Sequence, residues 1–146
     1  MITIYHNPRC QKSREALALL EEKGFQHSIR LYLNDEESMS AAEFERVLDA
    51  LDMDAIDLVR KNEAVWKEEY KILELDEDEI ILAMIEHPKL MERPIVVNGD
   101  RAVVARPAEK LLDVLYKNTG TKKSRPMGRL FLYPVGRNYS AVSSSL

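Results

Sequence analysis

Gly24 ends a run in which Ala16, Leu17, Leu19 and Leu20 recur at helical spacing, and alternating segments flank that run on both sides. Upstream, "MITIYH" sets Ile2 and Ile4 on one side and Thr3 and Tyr5 on the other, as a strand buried on at least one face does. Downstream, "FQHSIRLYL" alternates again through Phe25, Ile29, Leu31 and Leu33. Strand, helix, strand is therefore predicted, with Gly24 as the left-handed cap that stops the helix. The right-handed crossover rule makes the two strands parallel, and a parallel pair needs helices laid over the sheet.

Residues 34–93 turn helical. Ser40 with Glu43 and Asp76 with Glu79 have capping-box spacing, each ahead of an apolar stripe. One or two further helices are expected between them, around "DAIDLVRKN" and "EAVWKEEYKIL". After Pro88, "PIVVNGDRAVV" places two β-branched runs around Asn-Gly, a strong hairpin signal. "RPAEKLLDVLYKN" then reads as a last helix, with Pro107 in its first turn and Leu111, Leu112, Val114 and Leu115 on its buried stripe. The fold class is α/β: a mixed sheet flanked by helices, with a helical insertion between the second strand and the C-terminal hairpin. That order is the thioredoxin-like one with its middle connection enlarged.

At 146 residues the chain reads as one domain over residues 1–117, with the insertion at 34–93 inside it. Residues 118–146 read as a flexible basic tail. Within it, residues 121–146 carry five Lys or Arg and no Asp or Glu, so the tail and the acidic remainder differ in sign. A formal net charge of -4 disfavours nucleic-acid binding by bulk electrostatics, and five scattered charges make a weak nucleic-acid arm. A frameshifted or read-through end accounts for the tail as well as a functional arm does. No apolar run approaches the roughly 18 residues a membrane span needs, and the first 20 residues lack a signal core. A cytoplasmic location is expected, where the single Cys10 stays reduced.

Cys10 stands where the first strand gives way to the first helix, in "NPRCQKS". There the helix N–H groups and dipole favour thiolate over thiol, and Arg9, Lys12, Arg14 and a protonated His6 would add to that. The same N–H groups form a cradle for an oxyanion. One loop thus combines a nucleophile with an anion site. Against this stands the reading of Cys10 as a buried structural residue, since free cysteine is often buried. His27 and His87 read as structural, and Trp66 and Tyr70, four apart, as packing within the insertion. The acidic run "ELDEDE" lacks calcium-loop spacing, and no metal site is expected.

With Cys10-x-x-Ser13 after a strand in this order, "IYHNPRCQKSR", "LVRKN", "HPKLMERPIVV" and "ARPAE" together resemble the glutaredoxin-linked arsenate reductase family, over residues 1 to about 117. The resemblance implies that Cys10 attacks arsenic(V) and that Arg60, Arg93 and Arg106 bind the arsenate oxyanion. It implies that His6 tunes the thiolate, that the Ser13 hydroxyl supports it, and that Pro94 is the cis proline facing the active cysteine. Glutathione as co-substrate and glutaredoxin as partner follow from the resemblance too, with no bound cofactor. Longer family members continue in a helical extension, which residues 121–146 do not resemble.

Each arginine also has a plainer reading. Arg60 could complement a helix dipole, and Arg93 and Arg106, each before a proline, could make surface ion pairs of little worth. Two other functions compete with arsenate reduction. One is a thiol-dependent reductase of the same fold acting on another substrate. The other is an Spx-like regulator that binds RNA polymerase without turnover; such regulators typically carry Cys-x-x-Cys, where this chain has Ser13.

Overall fold

The computed structural model describes residues 1–116. β1 (Ile2–Tyr5) runs through the cysteine loop into α1 (Gln11–Glu22), and β2 (His27–Arg30) follows. α2 (Ala41–Leu51), α3 (Ala55–Leu58) and α4 (Glu77–Glu86) fill the connection to the hairpin β3 (Ile95–Asn98) and β4 (Arg101–Val104), and α5 (Leu112–Leu115) closes the described chain. The strand order is β2-β1-β3-β4. β1 pairs parallel with β2 and antiparallel with β3, which pairs antiparallel with β4. This is the mixed α/β sheet with a helical insertion that the sequence order predicts, in the thioredoxin-like arrangement.

Central β1 is covered on both faces. Ile2, Ile4 and Val96 pack against Ala16 and Leu20 of α1 and against Leu111 and Val114. Tyr5 and Ile95 point the other way, into Phe44, Leu48, Ile81 and Met84 of the insertion. Burying a side chain such as Ile4 or Leu20 contributes about 1.5–3 kcal/mol, so the two layers hold β1, and the loop at its end, from both sides. α1 ends as expected. Gly24 has φ +77, its N–H donates to Glu21 O at 3.1 Å, and Phe25 N–H donates to Leu20 O at 3.4 Å. Those two bonds make the Schellman pattern.

Several local expectations shift. β2 is an edge strand that ends at Arg30, so the alternation of "FQHSIRLYL" does not persist: Ile29 is 44% exposed and Leu33 36%, while Tyr32 is 1% exposed. A strand with one neighbour and a turn right after it has no second sheet partner to keep its phase. The hairpin register pairs Asn98 with Arg101, so Gly99 and Asp100 are the central turn residues. Only the first has positive φ, as in the II′ class, because Asn98 stays in the ladder.

The last helix is shorter than predicted. Pro107 is extended at φ -71, ψ 167, a 3-10 turn covers Ala108–Leu111, and only Leu112–Leu115 is α-helical. Leu111 and Val114 of the expected stripe are buried. Within the insertion, α3 is a single turn, and Trp66–Tyr70 forms a wide π turn in which the two aromatic rings stack at 5.7 Å.

The two capping boxes diverge. At α4 both bonds form, Glu79 N–H to Asp76 Oδ1 and Asp76 N–H to Glu79 Oε1. At α2, Glu43 N–H donates to Ser40 Oγ, but the Glu43 carboxylate accepts instead from Tyr5 Oη at 2.6 Å and Arg30 Nη2 at 2.7 Å. A charged donor outcompetes a backbone N–H for that carboxylate. The expected basic tail lies outside the described residues.

Candidate active site

Asn7 shapes the loop that presents the cysteine. Its carbonyl accepts from Cys10 N–H at 2.9 Å, its Oδ1 accepts from Arg9 N–H at 3.0 Å, and its own N–H donates to Ser13 Oγ at 3.0 Å. Asn-Pro is a recognised turn starter, and that dipeptide was the signal in the sequence for this role. Cys10 then occupies the N-cap of α1 in extended conformation, φ -96 and ψ 123, with Sγ making no capping hydrogen bond of ordinary length. It is partly exposed.

The thiol is held below its ordinary pKa. Burial pushes it up, but the amide of Ser13, the Arg93 side chain and its charge, and the amide of Lys12 together prevail. Helix amides acting on a sulfur at the N-cap do for a thiolate what they do for a capping oxygen, and they favour the charged form. The expected help from flanking basic side chains is largely absent. Arg14 donates to Pro8 O at 2.9 Å, and Lys12 Nζ lies 3.8 Å from Glu15. A local run of charges was legible in the sequence; the directions those long side chains take were not.

His6 and Ser13 form a buried pair. Ser13 is 0% exposed and His6 5%, with His6 Nδ1 3.1 Å from Ser13 Oγ. Burial first, then the Arg14 charge, lowers the His6 pKa against the pull of Glu21. An imidazole held below its ordinary value of about 6.5 is neutral at pH 7, so His6 adds no positive charge to the thiolate. The Ser13 hydroxyl already serves Asn7 and His6, and it is the Ser13 amide that acts on Cys10. Both residues thereby stabilise the shape of the loop that presents the thiol.

The three candidate arginines sit in two linked places. Arg93, which forms the cis Arg93–Pro94 peptide, acts on the Cys10 thiol. Its Nη1 donates to Lys89 O at 3.5 Å, and its buried Nε has no partner among the described residues. Arg60 and Arg106 line a cleft of about 360 Å³ together with Glu92, Asp57 and Asn62. Arg60 is paired with Glu63, and Arg106 Nη1 lies 3.6 Å from Glu92. Arg106 Nη1 also donates to Arg93 O at 3.3 Å, which ties the cleft to the cysteine side. Cys10 and Arg93 do not themselves line that cleft.

A group that sequence reasoning missed completes the picture. Tyr32, just past β2, is buried, and its hydroxyl has no hydrogen-bond partner among the described residues. Burial pushes its pKa up to about 12, and the charges of Arg93, Cys10, Arg60 and Glu92 all bear on it. The alternation of its segment placed it on the polar side, so no local pattern marked it. Among the described residues no three His, Cys, Asp or Glu side chains group as metal ligands, and no helix is long and apolar enough to cross a membrane.

A single activated thiol beside a guanidinium suits attack on an anion. The ArsC family model matches residues 5–114, which spans the cysteine loop, the insertion, the hairpin and Arg106. The chain belongs to the ArsC family. A protein of Haemophilus influenzae called arsenate reductase is 45% identical over 119 residues, covering 78% of this chain and 98% of that one. The arsenate reductase of Neisseria meningitidis is 39% identical over 116 residues, with 78% and 97% covered. The solved structure of arsenate reductase from Vibrio cholerae superposes with a TM-score of 0.73 at 42% identity, covering 77% of this chain and 96% of that one. Cys10 and all three candidate arginines of this ArsC-family chain thus fall inside the matched region.

Proposed function

We propose that this chain is a glutathione- and glutaredoxin-dependent arsenate reductase. The observation that carries the reading is a partly exposed Cys10 at the N-cap of α1 whose thiol the helix amides and Arg93 hold below its ordinary pKa. A guanidinium that stabilises the thiolate is also placed to receive an anion that the thiolate would otherwise repel. The similarity to proteins called arsenate reductase names the anion.

In this mechanism the Cys10 thiolate attacks arsenic(V). An S–As bond forms, and one arsenate oxygen leaves as water after taking up protons. Arg60, Arg93 and Arg106 bind the remaining oxygens and offset the charge that accumulates around arsenic. Glutathione, as a thiol, displaces a second oxygen as water and joins arsenic through its own sulfur. Glutaredoxin thiolate then attacks the glutathione sulfur. Its new S–S bond forms as the As–S electron pair stays on arsenic, which becomes arsenic(III). Hydroxide displaces arsenite from Cys10 and returns the thiolate. Cys10 is the one cysteine in the chain, so two external thiols, joined at the end as a disulfide, must supply the two electrons.

The unit that performs this is the single domain expected over residues 1–117. The need for a thiol pool supports a cytoplasmic location. Arsenate-dependent NADPH oxidation by the full chain with glutathione, glutaredoxin and glutathione reductase tests the reading. Turnover by the parent that vanishes in Cys10→Ser is the expected result. Full activity in Cys10→Ser, or no turnover by the parent, would end it.

A further inference from the structure

Tyr32 is 1% exposed, with its ring tilted against Tyr5 at a centroid distance of 6.5 Å. Packing of this kind is served equally by phenylalanine, so the hydroxyl needs a separate reason. It finds no acceptor or donor among the described residues. The charged groups bearing on it are Cys10, Arg93, Arg60 and Glu92, which come from both the cysteine side and the arginine cleft. Arg93 Nε is buried and unpartnered in the same way. Two buried, unpartnered donors, one of them on the arginine that acts on Cys10, match a ligand that has acceptors only and several of them, which describes a tetrahedral oxyanion.

We propose that Tyr32 is a substrate-contacting residue whose O–H donates a hydrogen bond to the oxyanion held at Cys10, beside the Nε–H of Arg93. This rests on the arsenate-reductase reading for the identity of the anion and deepens it by adding a neutral donor to the three arginines. The thiolate is a less suitable acceptor, because the Ser13 amide, Arg93 and the Lys12 amide already act on it. With a pKa of about 12, the phenol keeps its proton at physiological pH and is available as a donor.

Tyr32→Phe in the full chain tests this, read by thermal melting, by the pH midpoint of Cys10 alkylation with iodoacetamide, and by protection of Cys10 from that alkylation by arsenate. The expected variant melts no lower than the parent, since it loses only an unpaired hydroxyl. Its alkylation midpoint is unchanged, and half-protection needs about tenfold more arsenate. The KM for arsenate in the coupled assay rises in parallel. Unchanged protection overturns the assignment. A lower melting temperature also overturns it, because the hydroxyl then has a structural partner. So does a raised alkylation midpoint with protection intact, because the hydroxyl then serves the thiolate. Protection needs no turnover, so a parent that is protected by arsenate yet never reduces it ends the reductase reading while Tyr32 is still judged by its own variant. A parent protected by none of arsenate, phosphate and sulfate overturns both.

Discussion

The Arg93 side chain, on the segment leading into β3, acts on the sulfur of Cys10 at the head of α1 and favours its thiolate. The antiparallel pairing of β1 with β3 brings these segments together, with Tyr5 opposite Ile95. Arg93→Ala therefore removes a donor group and a charge that favour the thiolate. The pH midpoint of Cys10 alkylation is expected to move up in that variant, towards the ordinary thiol value of about 8.5. An unmoved midpoint would show that the helix amides alone set the thiol.

Arg60 and Arg106 call for a different outcome. Neither is among the leading groups that set the Cys10 thiol, and both line the neighbouring cleft. Arg60→Ala and Arg106→Ala should each raise the KM for arsenate by roughly tenfold while leaving the alkylation midpoint where it was. Steady-state kinetics beside alkylation rates separate the two roles. A shifted midpoint in either variant would count against this division.

Acid should loosen the cysteine loop through His6. Its folded pKa lies below the unfolded value of about 6.5, so the unfolded chain takes up the proton first as pH falls. Stability from this group is complete above that value and is lost progressively between it and the lower folded pKa. Urea midpoints measured from pH 8 to pH 5 should fall for the parent and fall less for His6→Gln. Ser13→Ala, which strands the part-buried Asn7 N–H and takes the buried His6 partner away, should cost about 1–3 kcal/mol at any pH.

Glu43 offers a control away from the chemistry. It accepts from Tyr5 Oη and from Arg30 Nε and Nη2, joining β1, the edge strand β2 and α2. Glu43→Ala removes the bidentate partner of a partly buried guanidinium that keeps the Glu37 and Ser38 carbonyls and the Glu37 carboxylate, a loss of about 1–3 kcal/mol. Denaturant unfolding should report that loss. The KM for arsenate, measured below the melting range, should stay unchanged, and a large change in it would link this cluster to the site.

The sequence by itself determined the strand–helix–strand start, because Gly24 and the flanking alternation are local and each residue carries its own preference. It also determined the N-cap position of Cys10 and the full capping box at Asp76, which depend on spacing within a few residues. The motif arginines were legible as types, since a charge that cannot be lost is written in the residue itself. Which of them acts on the sulfur was decided by the β1–β3 pairing, a contact between distant parts of the chain. Tertiary structure alone also turned Arg14 and Lys12 away from the thiol, kept His6 neutral and sent the Glu43 carboxylate to Arg30. It placed the Tyr32 hydroxyl among the charges of the site. Long side chains and burial answer to whatever packs against them, and one-dimensional spacing holds no record of that neighbour.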